Sequence, residues 1–378
     1  MTPDLTDPAA LAETLIACPS LTPATGAVFE ALEAMLAPLG FTVTRFTDGA
    51  APDGPVENLL AVRVDGPGPH FAFAGHLDVV PPGDGWTGDA FTPARRGELL
   101  YGRGAVDMKG AIAAYVAALA RSGPGGGTLS LVITGDEEGE AIHGTRALMA
   151  HMAERGVVPD LCLIGEPTSV GRLGDMIKIG RRGSVNMWIS VAGVQGHVAY
   201  PHLARNPIPP LLRILSAIEA ITLDAGTAWF QPSNIEITQL AAGNAATNVI
   251  PGKATARLSI RFNDLHRGEE LVARIRALVE AEGGTLEARI SGEAFLTPPG
   301  PLSTLVSDAI RAETGLTPEL STSGGTSDAR FLSALCPVVE FGLVNATMHK
   351  LDEAVALPDL ETLTRIYMRI IAAATTEP

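Results

Sequence analysis

The sequence has few cysteines, a deficit of basic residues and no long apolar run. Cys18, Cys162 and Cys336 are the only three cysteines in 378 residues, far apart and never in a Cys-x-x-Cys pair. This excludes a disulfide framework and a thiolate zinc site. It also favours a cytoplasmic setting, with each cysteine read as a small buried apolar residue. Lysine and arginine total 27 against 42 aspartates and glutamates, a net charge of −15. A clustered basic face for nucleic acid or anionic lipid is therefore not expected. The longest uncharged apolar stretch on a helical pattern, Ala111 to Ala120, is half of the roughly 20 residues that a bilayer crossing needs, so no membrane span is expected. The opening Met-Thr-Pro-Asp-Leu-Thr-Asp lacks the basic and apolar regions of a secretory signal. There is no internal repeat and no low-complexity linker.

What is present describes a globular α/β chain. Hydrophobic residues make up 46%, enough to fill real cores, while 41 glycines and 28 prolines are too many for a helical bundle. At about 150 residues per domain, two or three domains are expected. Up to residue 181, short apolar runs such as Phe71 to Gly75 and Thr128 to Thr134 alternate with helical patterns at Met108 to Arg121 and Ala141 to Arg155. Near-continuous apolar runs suit strands covered on both faces, so a mostly parallel sheet flanked by helices is expected. After Arg181 the order becomes strand 184–191, helix 205–223, strand 234–240, strand 254–262, helix 268–282 and strand 285–291. That is β-α-β-β-α-β, the split unit of ferredoxin-like domains, with the cleaner alternation of a sheet open on one face. Helix and strand patterns of the first kind resume after Gly300.

Ligand crevices in α/β sheets lie at the carboxyl ends of strands. The residues there share one chemistry. Successive strands end in Gly-His76-Leu-Asp78, Gly-Asp-Glu137-Glu138-Gly and Gly-Glu166-Pro, and a later one leads to Asn345-Ala-Thr-Met-His349. Asp107 enters another helix in Gly-Arg-Gly-Ala-Val-Asp-Met-Lys-Gly. Five carboxylates at one sheet edge, Asp78, Asp107, Glu137, Glu138 and Glu166, repel one another unless cations or protons join them; two like charges at about 4 Å cost roughly 4 kcal/mol at an effective dielectric of 20. Imidazole with carboxylate suits zinc, cobalt or manganese, and two ions about 3.5–4 Å apart share a bridging ligand, for which Asp107 is the candidate. Two positions apart on an extended chain, His76 and Asp78 point the same way, so that Asp78 is placed to hold the second imidazole nitrogen. Of the adjacent pair Glu137 and Glu138, at most one is a straightforward ligand, and the other is free to act as a base. Separately, Gly324-Gly325-Thr326-Ser327 ahead of a helix expected at Asp328 reads as a loop whose backbone N–H groups and capping residue receive an anion.

Taken together, the strings around His76, Asp107, Glu137-Glu138 and Glu166 resemble the dinuclear zinc amidohydrolases and exopeptidases that include aminoacylase and acetylornithine deacetylase. Longer strings extend the resemblance over nearly the whole chain: Gly-Arg181-Arg182-Gly-Ser, Gln-Gly-His197-Val-Ala-Tyr200-Pro-His202, Thr-Asn248-Val-Ile-Pro, Gly-Gly-Thr326-Ser-Asp-Ala-Arg and Val-Asn345-Ala-Thr-Met-His349-Lys. The resemblance implies two Zn2+ ions, with cobalt or manganese able to substitute. It places one on His76 and Glu166, the other on Glu138 and His349, and makes Asp107 the bridge. By the same resemblance Glu137 is the general acid and base, Asp78 orients His76, and a non-proline cis peptide follows Asp107.

Because His349 must reach a site otherwise built before residue 167, the split unit is an insertion. The expected domains are a discontinuous zinc-exopeptidase-like catalytic domain, 1–181 with 294–378, and an inserted lid and dimerisation domain, 182–293. In relatives the inserted domain makes a homodimer and the histidine corresponding to His197 enters the partner's site. The implied reaction is amide hydrolysis of a small anionic substrate, N-succinyl-LL-2,6-diaminopimelate, in lysine and diaminopimelate biosynthesis. N-acetylornithine or broader N-acyl amino acids are the alternative substrates. A silent metal- or peptide-binding relative is a further alternative, disfavoured because Glu137 is present. A substrate with three carboxylates needs local positive charge in so acidic a chain. Arg181 and Arg261 are implied to supply it, with Tyr200, Asn248, Gly324, Gly325, Thr326 and Asn345 as further contacts.

Overall fold

A computed structural model of the chain describes residues 3–243 and 246–376. They form two compact units. The first comprises Met1–Ile179, Thr297–Ser321 and Ser327–Pro378, and the second comprises Gly180–Leu296 and Thr322–Thr326.

The first unit is built on an eight-stranded sheet in the order Thr42–Asp48, Val56–Val64, Thr128–Thr134, His70–His76, Leu161–Ile164, Val338–Glu340, Met176–Lys178, Glu319–Ser321. Four of its junctions are parallel and three antiparallel, the mostly parallel α/β arrangement expected. The central strands His70–His76 and Thr128–Thr134 are buried almost throughout, as strands covered on both faces must be. Against them lies the alanine-rich helix Lys109–Ser122, buried continuously from Lys109 to Leu119 because small side chains let it approach closely. The ring of Phe73 stacks on Tyr115 of this helix at 4.0 Å and meets Tyr367 of the last helix, Leu357–Ala374, edge-on at 5.7 Å. Truncating such a fully buried ring costs about 3–5 kcal/mol, so this cluster anchors the strand that ends at His76.

The second unit runs strand Gly183–Ala192, helix Ile208–Glu219, strands Asn234–Ala241 and Lys253–Phe262, helix Gly268–Ala281, strand Thr285–Gly292. Its antiparallel sheet has the order Asn234–Ala241, Lys253–Phe262, Gly183–Ala192, Thr285–Gly292. Val185, Met187, Ile189 and Val191 point from one face into a core with Leu211, Ile214, Leu271 and Ile275 of the two helices. The residues between them, Asn186, Trp188 and Ser190, line the other face and stay at least partly exposed, which is the period-2 pattern of a sheet with one open side.

Several details depart from the expectations. The helix expected from Ala141 begins only at Thr145, because Ala141 itself sits at φ +53° in a turn. The helix expected over 328–335 shrinks to Ala329–Leu332, and Asp328 makes no side-chain cap there. Its carboxylate instead accepts from the Thr145 hydroxyl at 2.6 Å. The strands Ala94–Arg96, Leu99–Tyr101 and Ala354–Ala356, which form a small separate sheet, carry no apolar run long enough to be read in advance. No described helix is long and apolar enough to cross a membrane.

Candidate metal centre

The polar residues at the carboxyl ends of the first unit's strands converge. His76, the last residue of its strand, is 1% exposed. Its Nε2 lies 3.1 Å from Asp107 Oδ1 and 3.8 Å from Glu166 Oε1. The other Asp107 oxygen, Oδ2, lies 3.1 Å from Nε2 of His349, and that same nitrogen is 2.8 Å from Glu138 Oε1. Asp107 thus faces one histidine with each carboxylate oxygen. Ligand atoms of His76, Asp107 and Glu138 lie within 4.8 Å of one another, as do those of His76, Glu137 and Glu166.

Local backbone geometry makes this possible. His349 follows the short turn Asn345–Thr347 and takes φ +61°. The peptide between Asp107 and Met108 is cis. Met108 is buried, with Sδ 3.4 Å from the His76 backbone nitrogen, and its methyl occupies space that a Cβ on Gly75 or Gly165 would need. The glycine ahead of His76 and the one ahead of Glu166 therefore admit the side chain that follows the shared aspartate.

Asp78 holds the site by a different atom from the one its spacing implied. Nδ1 of His76 is 2.9 Å from the Asp78 backbone carbonyl, with the carboxylate oxygen farther off at 3.6 Å. The carboxylate is engaged elsewhere, accepting the backbone N–H groups of Glu137 at 3.2 Å and Glu138 at 3.0 Å. Asp78 so fixes the imidazole with its main chain and the two glutamates with its side chain.

The electrostatics follow from burial and crowding. Burial pushes the Asp107 carboxyl up, yet the contacts from His349 and His76 together hold it well below the ordinary carboxylate range. Burial lifts Asp78 to about 6. Burial also raises Glu137 well above the usual range, and the Glu166 carboxylate adds to the effect. The Asp107 and Glu138 contacts raise His349 to about 10. For His76, burial alone would lower the value, but Asp107 with the charges of Asp78 and Glu166 carries it well above the ordinary one. A buried aspartate held ionised between two imidazoles, with further carboxylates crowded beside it, is a donor set for divalent cations.

One residue that supports this geometry belongs to no motif. Glu353, fully buried, accepts from Arg103 Nη1 at 2.8 Å and from the backbone N–H groups of Gly104, Val106 and Asp107 at 3.1, 2.8 and 3.1 Å. Arg103 lies over the Trp86 ring at 5.2 Å. Pairing of Ala354–Ala356 with Leu99–Tyr101 brings the two segments together.

The remaining candidates lie in the second unit, apart from Asn345, which belongs to the first. Arg181 is buried, donates to the Ser323 carbonyl at 3.3 Å and packs so closely on Gly324 that a Cβ there would stand 2.7 Å from its Nη1. Gly324, Gly325 and Thr326 therefore share one corner with Arg181. His197 is paired across from Val249, and Val198 donates to the Asn248 carbonyl at 3.1 Å. The His197 and Tyr200 rings are 5.8 Å apart, so His197, Tyr200 and Asn248 form a second, exposed cluster. Arg261 donates through Nη1 to Ser184 Oγ at 2.6 Å and Ser259 Oγ at 2.8 Å.

Comparison with known proteins adds four findings. Residues 72–373 match the model of peptidase family M20/M25/M40. A curated protein of Sphingopyxis alaskensis named succinyl-diaminopimelate desuccinylase is 70% identical over 369 residues, 97% of either chain. Among solved structures, aminopeptidase PepT from Bacillus cereus is 18% identical, with a TM-score of 0.79 over 100% of both chains. The YXEP protein of Bacillus subtilis, described as a dinuclear metal binding peptidase, is 15% identical with a TM-score of 0.69 over 98% of each. At that identity both structures speak for the fold alone.

Proposed function

The chain belongs to peptidase family M20/M25/M40, and from that premise we propose that it hydrolyses N-succinyl-LL-2,6-diaminopimelate to succinate and LL-2,6-diaminopimelate in lysine and diaminopimelate biosynthesis. One observation carries the chemistry: a buried aspartate, Asp107, turned by its two oxygens toward two histidines, with Glu137 beside them.

The donor set fits two divalent ions, with three carboxylates and two imidazoles besides Glu137 and, among the described residues, no lysine or arginine paired with Asp107. We assign His76 and Glu166 to one ion, Glu138 and His349 to the other, and Asp107 to both. Zinc is the metal proposed, with cobalt or manganese able to replace it. When bound, such ions supply Lewis-acid activation of water and of the amide carbonyl. Glu137 takes the proton of the attacking water and returns it to the leaving amine. Its high proton affinity, set by burial and by Glu166, suits that task.

We further propose that the first unit is the catalytic domain and the inserted segment, 182–293, a lid through which two protomers pair. Val194, Val198, Tyr200 and Leu203, all exposed around His197, support an interface there. Nδ1 of His197 accepts from the Ala199 N–H at 3.0 Å, so the neutral ring carries its proton on Nε2. That N–H is the group we assign to the oxyanion of the partner's substrate. Arg181, Arg261, Tyr200, Asn248, Gly324, Gly325, Thr326 and Asn345 are assigned to the substrate's carboxylates and amide. A cytoplasmic location is part of the proposal and agrees with three free cysteines.

The test is a side-by-side assay of metal-loaded protein on N-succinyl-LL-2,6-diaminopimelate and N-acetylornithine. Preference for the first is expected. Preference for the second overturns the substrate and leaves the metal chemistry standing.

A further inference from the structure

The open face of the second unit's sheet carries a groove of about 590 Å³ lined by Asn186, Trp188, Asn234, Ser259 and Arg261 among others. In a chain with 42 acidic residues against 27 basic ones, most buried or half-buried arginines meet a carboxylate. Arg45 meets Glu57, Arg103 meets Glu353, and Arg121 meets Glu361. Among the described residues, Arg261, which lines this groove, and Arg182, which donates to the groove residue Asn234, do not.

Among the described residues their hydrogen-bond partners are all neutral. Arg261 spends Nη1 on Ser184 Oγ, Ser259 Oγ and the Ile260 carbonyl, which leaves its Nε and Nη2 edge open for a bidentate contact. Arg182 donates from Nη1 to Asn234 Oδ1 at 3.0 Å, and the Gln231 amide oxygen, turned toward it, accepts from Nη1 and Nη2 at 2.8 and 3.0 Å. The Nε of Arg182 is buried without a partner. Strand register ties the two together: Asn234 and Ser184, which border Arg182 in space and in sequence, are both cross-strand partners of Arg261. Glu236, an acid that lines the same groove, accepts from the Asn234 amide at 3.2 Å. Burial lowers the pKa of both guanidinium groups, and the charge of Arg261 adds to the effect on Arg182.

Two adjacent guanidiniums held by hydroxyls and amides, with a hydrogen-bonding edge to spare, are arranged for an anion from outside the chain. We infer that Arg182 acts with Arg261 as a two-guanidinium site for one carboxylate of the substrate. Arg261 provides the bidentate edge, and Arg182 provides the second charge beside it. The inference rests on the hydrolytic reading above, and it gives Arg182 a role in specificity toward an anionic acyl amino acid.

The test compares R182Q and R182K with the parent protein, all metal-loaded and checked for folding by circular dichroism. KM for N-succinyl-LL-2,6-diaminopimelate should rise about tenfold or more in R182Q, the range of a lost charge-assisted contact, while kcat stays within about threefold. R182K, which keeps the charge, should recover most of the loss. Calorimetric titration with succinate and with LL-2,6-diaminopimelate should show one product weakened by a similar factor and the other unchanged. Unchanged KM and product affinities in a folded R182Q overturn the inference. So does an equal loss in R182K and R182Q with both products weakened alike, the mark of a structural role. An inactive parent protein overturns the hydrolytic reading itself, whereas an active parent with an indifferent R182Q overturns only the role of Arg182.

Discussion

Glu353 accepts the backbone N–H of Asp107 at 3.1 Å, and the same carboxylate holds the N–H groups of Gly104 and Val106 and the guanidinium of Arg103. A fully buried acid with four donors on it acts as a clamp, fixing the loop that presents Asp107 to both histidines. Exchanging it for glutamine retains the shape but turns an amide N–H₂ toward N–H donors. Glu353→Gln should weaken metal binding by about 10–100-fold, the cost of losing support behind a ligand, and lower kcat/KM with it. A competition titration with a chelator measures the first, and unchanged affinity in a folded variant would count against the clamp.

This clamp also marks the boundary of what the sequence makes legible. His76, Glu137 and Glu166 stand directly behind apolar runs of strand length, so their position at one sheet edge follows from the alternation of strands and helices, and the structure places them together. The split unit is equally readable, because its strands alternate cleanly and its helices run over ten residues. Glu353 is not readable. Its partners are backbone N–H groups some 250 positions earlier, and backbone donors leave no trace in residue identity. Strands of three residues such as Ala94–Arg96 are too short to show a period. Asp328 reads as the start of a helix, but tertiary contact with Thr145 outweighs local capping. The spacing of His76 and Asp78 indicates that the two cooperate. It does not distinguish the carbonyl that holds the ring from the carboxylate that holds the glutamates.

Glu137 separates metal binding from proton transfer. Its backbone N–H is held by Asp78, so its position does not depend on the charge of its own side chain. Glu137→Gln should keep two ions, measured by elemental analysis, and lose about 10²–10⁴ in kcat, the range of a missing general base. Near-normal turnover in the purified variant would remove Glu137 from the mechanism.

Asp224 offers a test of acid stability in the second unit. Burial alone would raise its carboxyl, but it accepts from Gly226 N at 2.7 Å, Asn263 Nδ2 at 2.8 Å and Ser233 N at 3.2 Å, which together hold it well below the ordinary range. His266 Nε2 adds a contact at 2.9 Å. A depressed native value stabilises the fold above the unfolded-state pKa of about 4, and that contribution is lost as pH falls through the native value. Asp224→Asn should therefore cost about 2 kcal/mol at pH 7, with the difference from the parent shrinking below pH 4. Urea unfolding at several pH values measures it; a constant difference down to pH 3 would show that the charge of Asp224 is not the cause.

His197 provides the test of shared sites. Its ring stands among exposed apolar side chains on the second unit, with Nδ1 committed to Ala199 and Nε2 left to donate. If that N–H serves the neighbouring protomer, His197→Ala and Glu137→Gln are defects in opposite halves of one composite site. Each homodimer should be inactive, since each site lacks one group. In a mixed dimer formed by subunit exchange, one site carries both defects and the other carries none. Activity should then return toward half of the parent value per mixed dimer, about a quarter of the total at equal mixing, because random exchange makes half of all dimers mixed. Exchange is followed independently by fluorescence transfer between labelled protomers. Proven exchange without recovered activity would place His197 outside the partner's chemistry, and a His197→Ala protein that is active alone would remove it from the oxyanion altogether.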